Sequence, residues 1–479
     1  MPFPLYHLLH FSPELILIVG FVVLMIVDLI RPLRSAAGIL ALVILAAAGI
    51  VAMFGWPGTS QTIFATYAHD SFALFFKVFF CLATIVAVLF SLSSFKTDAE
   101  YYLLLIGSTL GMFLLSGAHD LILLFVSIEM VSIPSYILAG MYRDKRSSGE
   151  AALKYVLYGA VSTGVMLFGM SLLYGLTGST DFDLIRNHFL LLQGTSSPIT
   201  LFLAMLLILA GIGYKVAMVP FHFWCPDVYE GAPTPITAFF SVAPKAAGFA
   251  ALLRLTVTLL PRGWEAGWDW PMLFTLASAA TMTLGNLAAI AQQNLKRLLA
   301  YSSIAHAGYI LMGFAAASDL GFQAVLFYLI VYLFMNYGAF FVVDIVSRKE
   351  GSEMLRDFRG LGYRAPYVAV AFSIFLFSLV GLPPLAGFIG KFYLFGALID
   401  QGMVPLAVIG VLNSVVSLWY YAKIIREMFL RDPLKPVPLL TGVGAKVLLL
   451  ALMIPIFVLG VYWSPIIAVA SEAFQLVLP

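Results

Sequence analysis

Charged residues are scarce in this chain: only 10% of its 479 residues are Asp, Glu, Lys or Arg, whereas soluble proteins average about 25%. Hydrophobic residues make up 62% of the chain, and its mean hydropathy is +1.00. No water-soluble core can hide that much apolar surface, so the composition predicts a protein embedded in lipid. The formal net charge of +2, without any basic run, gives no indication of nucleic-acid binding.

Cysteine is almost absent as well. Cys81 and Cys225 are far apart and lie in or beside apolar segments, which argues against a disulfide framework and against a metal site. The sequence also shows no cysteine cluster for an iron–sulfur centre, no glycine-rich nucleotide loop and no strand pattern. Because the N-terminus lacks the basic region of a signal peptide, we interpret residues 14–30 as a first span that is retained.

Apolar segments long enough to cross a bilayer, about 20 residues each, follow one another along the chain. We predict fourteen of them, at residues 13–30, 36–54, 71–93, 100–117, 120–141, 151–176, 199–223, 234–260, 270–291, 299–316, 321–346, 366–398, 403–428 and 445–466. The seventh and the twelfth contain Gly and Pro, and the twelfth is too long for one straight helix, so we predict that both are broken. The predicted fold class is an all-α polytopic membrane protein.

Lys and Arg are distributed unevenly over the loops between these spans. The odd-numbered loops and the span ends next to them hold Arg31, Arg34, Lys96, Arg143, Lys145, Arg146, Lys296, Arg297, Arg348, Lys349, Arg356, Arg359, Arg364, Lys423, Arg426, Arg431, Lys435 and Lys446, whereas the even-numbered loops hold only Arg186 and Arg262. Since cytoplasmic loops carry an excess of Lys and Arg, this bias predicts that both termini lie on the non-cytoplasmic side.

Six cations remain inside the predicted spans, where a charge at mid-bilayer costs roughly 3 kcal/mol. They are Lys77, Lys154, Lys215, Lys245, Arg254 and Lys391. Lys154 and Arg254 are near span ends, where their long side chains can snorkel to the interface, and Lys77 is ambiguous. Lys215, Lys245 and Lys391 have apolar residues on both sides, which favours a functional role.

One acid, Glu129, is deep in the fifth span. The simplest interpretation is a glutamate paired with a lysine for stability. Such a pair is also suited to proton exchange, because a dry environment disfavours the charged form of both groups.

The two interrupted spans have a similar arrangement. Lys215 and Lys391 are 176 residues apart, and the same offset takes Glu129 to Ala305, beside His306. The offset covers five spans, an odd number, so a second copy of the unit would be inverted relative to the first. Paired Gly/Pro-interrupted segments in two halves indicate the ion site of a transporter, because a broken helix frees backbone groups that attract water.

Three strings carry a resemblance to a known family. VPFHFWCPDVYEGAPTPITAF (219–239), NLKRLLAYSSIAHAGY (294–309) and GLPPLAGFIGKFYLF (381–395) resemble the antiporter-like membrane subunits of respiratory complex I, the NADH-quinone oxidoreductase. Within that family, PDVYEGAP is similar to the N-type subunits. The resemblance covers nearly the whole chain.

The resemblance implies fourteen helices with two inverted five-helix repeats. The implied units are residues 1–98, an N-terminal three-helix segment; 99–262, the first repeat; 263–432, the second; and 433–479, a C-terminal helix. It also implies that no cofactor binds this chain, that FMN, iron–sulfur clusters and quinone belong to partner subunits, and that the neighbours are the M-type subunit, the small K, J and A subunits and lipids. The number of spans favours a bacterial inner membrane.

The same resemblance assigns roles to individual residues. It implies proton transfer along a central axis formed by Glu129, Lys154, Lys215, Lys245, His306 and Lys391. We expect Glu129 to stabilise the Lys215 charge directly, by about 4 kcal/mol if the two groups are about 4 Å apart. A proton would then pass through Lys245 and His306 to Lys391, driven by electron transfer in other subunits.

Two alternative functions stay open at this point. The chain could belong to a sodium–proton antiporter of the same fold, although a row of lysines repels sodium ions, which prefer carboxylates and carbonyls. It could also be a structural subunit that does not pump, although such a subunit has no need of costly buried lysines.

Several other polar residues have simpler expectations. Asp227 fits a helix N-cap for the eighth span, and His222 borders the broken seventh span. Lys296 and Arg297 are expected to be interfacial anchors.

Overall fold

The computed structural model describes residues 9–55, 61–94, 98–191, 199–259, 269–435 and 437–475. The predicted boundary between the two repeats, at 262/263, lies outside the described residues, as do Lys96 and Arg262 of the charge comparison.

Within these ranges the chain forms nineteen helices. They are α1 (Ser12–Leu29), α2 (Ala37–Phe54), α3 (Ser71–Ser94), α4 (Ala99–Ser116), α5 (Leu121–Ala139), α6 (Arg146–Thr177), α7 (Phe182–Leu191), α8 (Ile199–Val216), α9 (Trp224–Gly231), α10 (Thr234–Leu259), α11 (Trp270–Ile290), α12 (Leu295–Ala316), α13 (Asp319–Glu350), α14 (Leu361–Arg364), α15 (Pro366–Val380), α16 (Ala386–Asp400), α17 (Val404–Leu430), α18 (Val443–Val461) and α19 (Ser464–Gln475). Short 3₁₀ helices cover Arg31–Ala36 and Leu355–Phe358.

The polytopic helical membrane fold is confirmed. Thirteen of the described helices are long and apolar enough to cross a membrane, and each coincides with one of the fourteen predicted spans. The exception is the twelfth predicted span, which consists of α15 and α16, two helices of 15 residues each.

One small element departs from the expectation that the chain has no strands. Strands β1 (Gln61–Ile63) and β2 (Tyr67–His69) pair antiparallel between α2 and α3. The ribbon packs on the chain that connects α4 to α5: the Ala68 amide donates to the Gly117 carbonyl at 2.7 Å, and the His119 amide donates to Thr66 at 2.8 Å.

Contacts between helix ends define two faces of the bundle. The hairpin face carries β1 and β2 together with the start of α1, the start of α3 and the end of α10. The basic face carries the opposite helix ends, where Arg348 donates to the Ser93 carbonyl and Arg297 pairs with Asp227.

Three helices form the interior. The apolar span of α10 is buried along its whole length, and α12 and α13 are nearly so, whereas α1 and α6 expose most of their surfaces. The lipid-facing helices therefore enclose α10, α12 and α13, and polar side chains on these three helices are shielded from hydrocarbon.

Both predicted breaks are present. Residues 217–223 separate α8 from α9, and residues 381–385 separate α15 from α16. Each break contains a cis proline bond, Val219–Pro220 in the first and Pro383–Pro384 in the second. Gly381 ends α15 with φ +89°, a left-handed conformation that a residue with a Cβ rarely adopts.

Candidate functional site

Lys215 is in the last turn of α8, just before the first break, and is 3% exposed. Its ammonium donates to the Ser132 hydroxyl of α5 at 3.0 Å. α8 and α10 approach closely here because Gly248 has no Cβ: one would lie 2.8 Å from Val216 Cγ1 and 3.3 Å from the Lys215 Cβ. The charge therefore sits between α5 and α10, away from lipid.

Glu129 does not touch Lys215, contrary to the expected separation of about 4 Å. Its carboxylate accepts from the Thr163 hydroxyl of α6 at 2.8 Å, and no ion pair joins it to Lys215. Glu129 and Ser132 are three residues apart on α5 and so lie on one side of the helix. Glu129 therefore acts on the Lys215 charge through space, from the same side of α5 that carries the Ser132 hydroxyl.

Lys245 lies inside α10 and is 2% exposed. It donates to Ser303 of α12 twice, to the hydroxyl at 2.5 Å and to the carbonyl at 3.1 Å. Its Nζ is 6.0 Å from the centre of the Tyr229 ring. All of these partners are neutral.

His306 is one turn further along α12 than Ser303 and is 2% exposed. Its Nδ1 is 2.7 Å from the Tyr328 hydroxyl of α13. The ring also lies against Tyr309 and Tyr332, with centroids 5.7 Å and 5.2 Å away.

Lys391 is in α16, just after the second break, and is 3% exposed. It donates to the Val380 carbonyl at the end of α15 at 2.8 Å and to the Ser414 hydroxyl of α17 at 3.1 Å. Its Nζ lies 4.2 Å from the centre of the Tyr309 ring, a distance suited to a cation–π interaction.

One side of α12 connects the last two lysines. Ser303, His306 and Tyr309 follow one another at intervals of three residues, so they line one side of the helix. Ser303 binds Lys245, and Tyr309 lies under Lys391. The structure thereby brings Lys245, His306 and Lys391 to one buried row. Lys215 extends this row on the α8 side, where it packs against Gly248 of α10, three residues from Lys245.

Lys154 is not part of that row. Its side chain is 36% exposed and forms ion pairs with Glu150 at 2.8 Å and Asp227 at 2.7 Å. Asp227 also pairs with Arg297 at 2.6 Å. Burial alone would raise the pKa of the Asp227 carboxyl, but the hydrogen bonds from Lys154 and Arg297 outweigh burial and lower its pKa. These residues form a network at the basic face.

Two expectations about this face are wrong. Asp227 lies within α9 and does not cap the eighth span, because α10 begins only at Thr234. Lys296 is not an interfacial anchor: it is 3% exposed and donates to the Glu230 and Ala232 carbonyls at 2.8 Å and 2.7 Å. Its ammonium thus closes the end of α9.

Arg254 was expected to snorkel, but it is 2% exposed at the hairpin face. Its guanidinium binds both carboxylate oxygens of Asp70, at 2.5 Å and 3.0 Å, and the Ser116 carbonyl at 2.7 Å. Lys77 is also fully buried and pairs with Glu14 at 2.8 Å. Sequence reasoning missed Asp70 and Glu14 as partners, although each stands at the start of a span.

The neutral partners were missed for a different reason. Ser132, Ser303, Tyr309 and Ser414 are common residue types in apolar helices, and nothing in their local sequence marks them as ligands of an ammonium group. Among the described residues, no group of three His, Cys, Asp or Glu could hold a metal ion.

The chain is similar in sequence to membrane subunits of known complexes. The family model described as "NADH:quinone oxidoreductase/Mrp antiporter, TM" matches residues 118–417. A protein of Anaeromyxobacter sp. (strain Fw109-5) named NADH-quinone oxidoreductase subunit N is 46% identical, over 98% of this chain and 96% of its own length. A protein of the same name from Chlorobium chlorochromatii is 44% identical over 95% of this chain and 92% of its own.

Two solved structures are similar over nearly the whole chain. A chain of respiratory complex I from Thermus thermophilus is 34% identical with a TM-score of 0.82, covering 96% of this chain and 99% of that one. A chain of the Mrp complex from Dietzia sp. DQ12-45-1b is 21% identical with a TM-score of 0.88, covering 98% of this chain and 100% of that one. At that identity, the second likeness shows the fold alone.

Proposed function

This chain belongs to the family of NADH:quinone oxidoreductase/Mrp antiporter transmembrane subunits, and on that premise we propose that it moves protons across the membrane within an NADH-quinone oxidoreductase. Electron transfer from NADH to quinone, through FMN and iron–sulfur clusters in partner subunits, supplies the energy. The neighbours are the M-type subunit and the small K, J and A subunits, in a bacterial inner membrane.

The observation that carries the proposal is the chemistry around the three buried lysines. Lys215, Lys245 and Lys391 donate only to hydroxyl and carbonyl oxygens. No described carboxylate lies within ion-pair distance of any of them. A neutral acceptor binds an ammonium group but does not compensate its charge, so each lysine in this dry environment can release its proton at modest cost.

The residues define an order of transfer. A proton from the basic face reaches Lys215 beside the first break, with Glu129 on α5 adjusting the affinity through space. It then passes to Lys245 and, along Ser303, His306 and Tyr309 of α12, to Lys391. The second break, beside Lys391, leads to the hairpin face. Ordered water between Lys215 and Lys245 completes the route, and the hairpin face with both termini is periplasmic.

Lys154 has a different place in this proposal. Its ion pairs with Glu150 and Asp227 put it at the basic face, where it collects protons near the first break rather than storing them in the interior.

Pumping by the whole reconstituted enzyme tests the proposal. Lys215→Ala and Glu129→Gln should each lower the number of protons moved per electron while NADH oxidation persists. Lys446→Ala, at an exposed position of α18, is the matched control and should leave the ratio unchanged. A wild-type ratio in the Lys215→Ala enzyme would remove the proposed route.

The same vesicles address the sodium alternative. If the chain moved sodium ions, the ratio would depend on external sodium in the wild type. We expect no such dependence, because three uncompensated ammonium groups repel a second cation.

A further inference from the structure

A second ionisable cluster lies in the N-terminal helices, outside the row of lysines. Glu14 in the first turn of α1 and Lys77 in α3 form an ion pair at 2.8 Å, and both side chains are completely buried. The pair needs no neighbouring subunit to shield it. It differs in this respect from Lys154 at the basic face, whose side chain is 36% exposed.

The hairpin formed by β1 and β2 covers one side of the pair. The Tyr67 hydroxyl of β2 donates to Glu14 Oε1 at 2.5 Å, and Lys77 Nζ is 5.3 Å from the centre of the same ring. Tyr67 therefore contacts both charges and fixes the position of the hairpin over them.

The cluster also contains an oxygen atom without a partner. Glu14 Oε2 is buried and accepts no hydrogen bond, whereas the His69 ring, 2% exposed, is within reach of the Gly55 backbone. Buried polar atoms in proteins are nearly always satisfied, by protein or by ordered water. The free Glu14 oxygen therefore indicates ordered water next to the ion pair.

The neighbouring pair shows what a saturated arrangement looks like. Both oxygens of Asp70 bind Arg254, which also binds the Ser116 carbonyl. An arginine cannot release its proton at physiological pH, so this pair is static. Glu14 and Lys77 lie about two turns of α3 further into the bundle than Asp70, and neither of them is an arginine.

His69 is suited to connect the pair to water. It belongs to β2, outside the membrane spans, and burial, followed by the Lys77 and His10 charges, lowers its pKa to about 4. The imidazole is therefore neutral near pH 7 and can accept a proton on one nitrogen while releasing one from the other.

Several titratable groups surround the pair. They are His10 and Glu14 of the α1 region, Tyr67, His69 and Asp70 at β2, Lys77 and Cys81 of α3, and Arg254 of α10. The charged pair Asp70–Arg254 is closed on itself, so Glu14 is the acid that remains to take up a proton.

We propose that Glu14, Lys77 and His69 form a second proton-binding site, separate from the row of lysines and loaded from the hairpin face. One proton enters through His69 and water and converts the Glu14 carboxylate to a carboxylic acid, while Lys77 stays an ammonium group. The proton returns by the same route. Nothing is oxidised or reduced, and the occupancy follows the acidity of the water at the hairpin face.

This inference goes beyond the proposed function and holds whether or not the row conducts protons. A purely structural role explains the presence of this buried ion pair poorly, because replacing such a pair by uncharged residues often leaves stability unchanged or increases it.

Infrared titration of the purified whole enzyme tests the site. Acidification should produce a carboxylic-acid C=O stretching band that is lost in Glu14→Gln and kept in Glu100→Gln, a variant of an exposed carboxylate on α4. In rapid pH jumps, His69→Asn should delay the appearance of the band at least several-fold. Identical titrations of the wild type and Glu14→Gln would overturn the proposal.

A second variant protects the test against misfolding. Glu14→Gln holds the site permanently in a neutral state like the protonated one, and a lasting buried charge on Lys77 can prevent assembly where a transient one does not. Glu14→Gln combined with Lys77→Met leaves no unpaired charge and should assemble. If the double variant keeps the band, the proposal is wrong. Pumping by Lys215→Ala, measured separately, reports on the row alone, so failure of one idea is distinguishable from failure of the other.

Discussion

Lys215 and Lys391 each lie beside a broken helix, but their surroundings in the structure differ. Lys215 precedes its break, and its hydrogen-bond acceptor, the Ser132 hydroxyl, belongs to another helix. Lys391 follows its break, and its ammonium group donates a hydrogen bond to the Val380 carbonyl on the other side of that break. Ser414 and the Tyr309 ring add two further contacts.

The difference concerns which part of the molecule controls each charge. α5 carries Glu129 and also the Ser132 hydroxyl that accepts from Lys215. A small movement of α5 therefore changes both this hydrogen bond and the electrostatic support that Glu129 gives to the Lys215 charge. Lys391 is held by three elements, including its own interrupted helix pair. Lys215 is therefore the adjustable member of the row, and Lys391 the anchored one.

The largest expected effect concerns the second break. A Cβ at Gly387 would overlap the Ser378 carbonyl of α15, a backbone atom that cannot move without opening the break. Gly387→Ala should lower the free energy of unfolding by about 3 kcal/mol, measured as loss of assembled enzyme on heating. The matched change at the first break is Gly213→Ala, where a Cβ meets the flexible end of Met218 at 2.7 Å.

Gly213→Ala should cost less than about 1 kcal/mol, since a methionine side chain adapts readily. Equal losses of stability in the two glycine variants would show that the two breaks are equally constrained.

The next largest effect is expected when the serine hydroxyl that accepts from each lysine is removed. Ser132→Ala takes away the only hydrogen-bond acceptor that the structure shows for Lys215, and an unsatisfied buried charged group costs about 2 kcal/mol. Ser414→Ala leaves Lys391 with the Val380 carbonyl. We expect proton translocation to fall roughly tenfold in Ser132→Ala and clearly less in Ser414→Ala, measured as initial pumping rates in vesicles. The reverse order would make Lys391 the adjustable group.

The Tyr309 ring offers a contact that Lys215 lacks. Tyr309→Phe keeps the aromatic face under Lys391, whereas Tyr309→Leu removes a cation–π interaction of about 1 kcal/mol. Pumping should be close to wild type in the first variant and reduced about fivefold in the second. A strong defect in Tyr309→Phe would instead assign the role to the hydroxyl, which lies 3.2 Å from Ser414.

The smallest effect belongs to the network beside the first break. Because the folded pKa of Asp227 is lowered, its contribution to stability is present above the ordinary carboxyl pKa of about 4 and is lost as pH falls through the folded value. Wild type should exceed Asp227→Asn by at most about 1 kcal/mol near pH 7. The two should converge in thermal unfolding well below pH 4; a gap that persists in acid would contradict this assignment.

Much of the site was predictable from individual residues. The cost of a charge in hydrocarbon marks Lys215, Lys245 and Lys391 without any knowledge of the fold, and all three prove to be buried. The same argument was weaker near span ends: Arg254 was expected to snorkel, but its partner Asp70 is 184 residues away along the chain. A single sequence does not reveal which distant residue meets such a charge.

The neutral contacts were also beyond prediction, because serine and tyrosine are common in apolar helices and their local sequence does not mark them as acceptors. Lys215 donates to the Ser132 hydroxyl where a direct contact with Glu129 was expected. Ser303, His306 and Tyr309 line one side of α12, and only the packing of α12 against α10 and α16 brings them to the lysines. Whether the two halves are inverted repeats stays a prediction, and the positions of Lys215 and Lys391 on opposite sides of their breaks show that equal spacing does not produce equal geometry.

The amino-acid sequence by itself determined the membrane environment, the spans, the two interruptions and the cations that must be hidden, because hydrophobic burial and the cost of charge are properties of the residues alone. Only the tertiary structure decided which oxygen each ammonium group binds and which ion pairs close on themselves. Those choices depend on contacts of a few ångströms between helices that are far apart in the chain, and helix packing sets such distances.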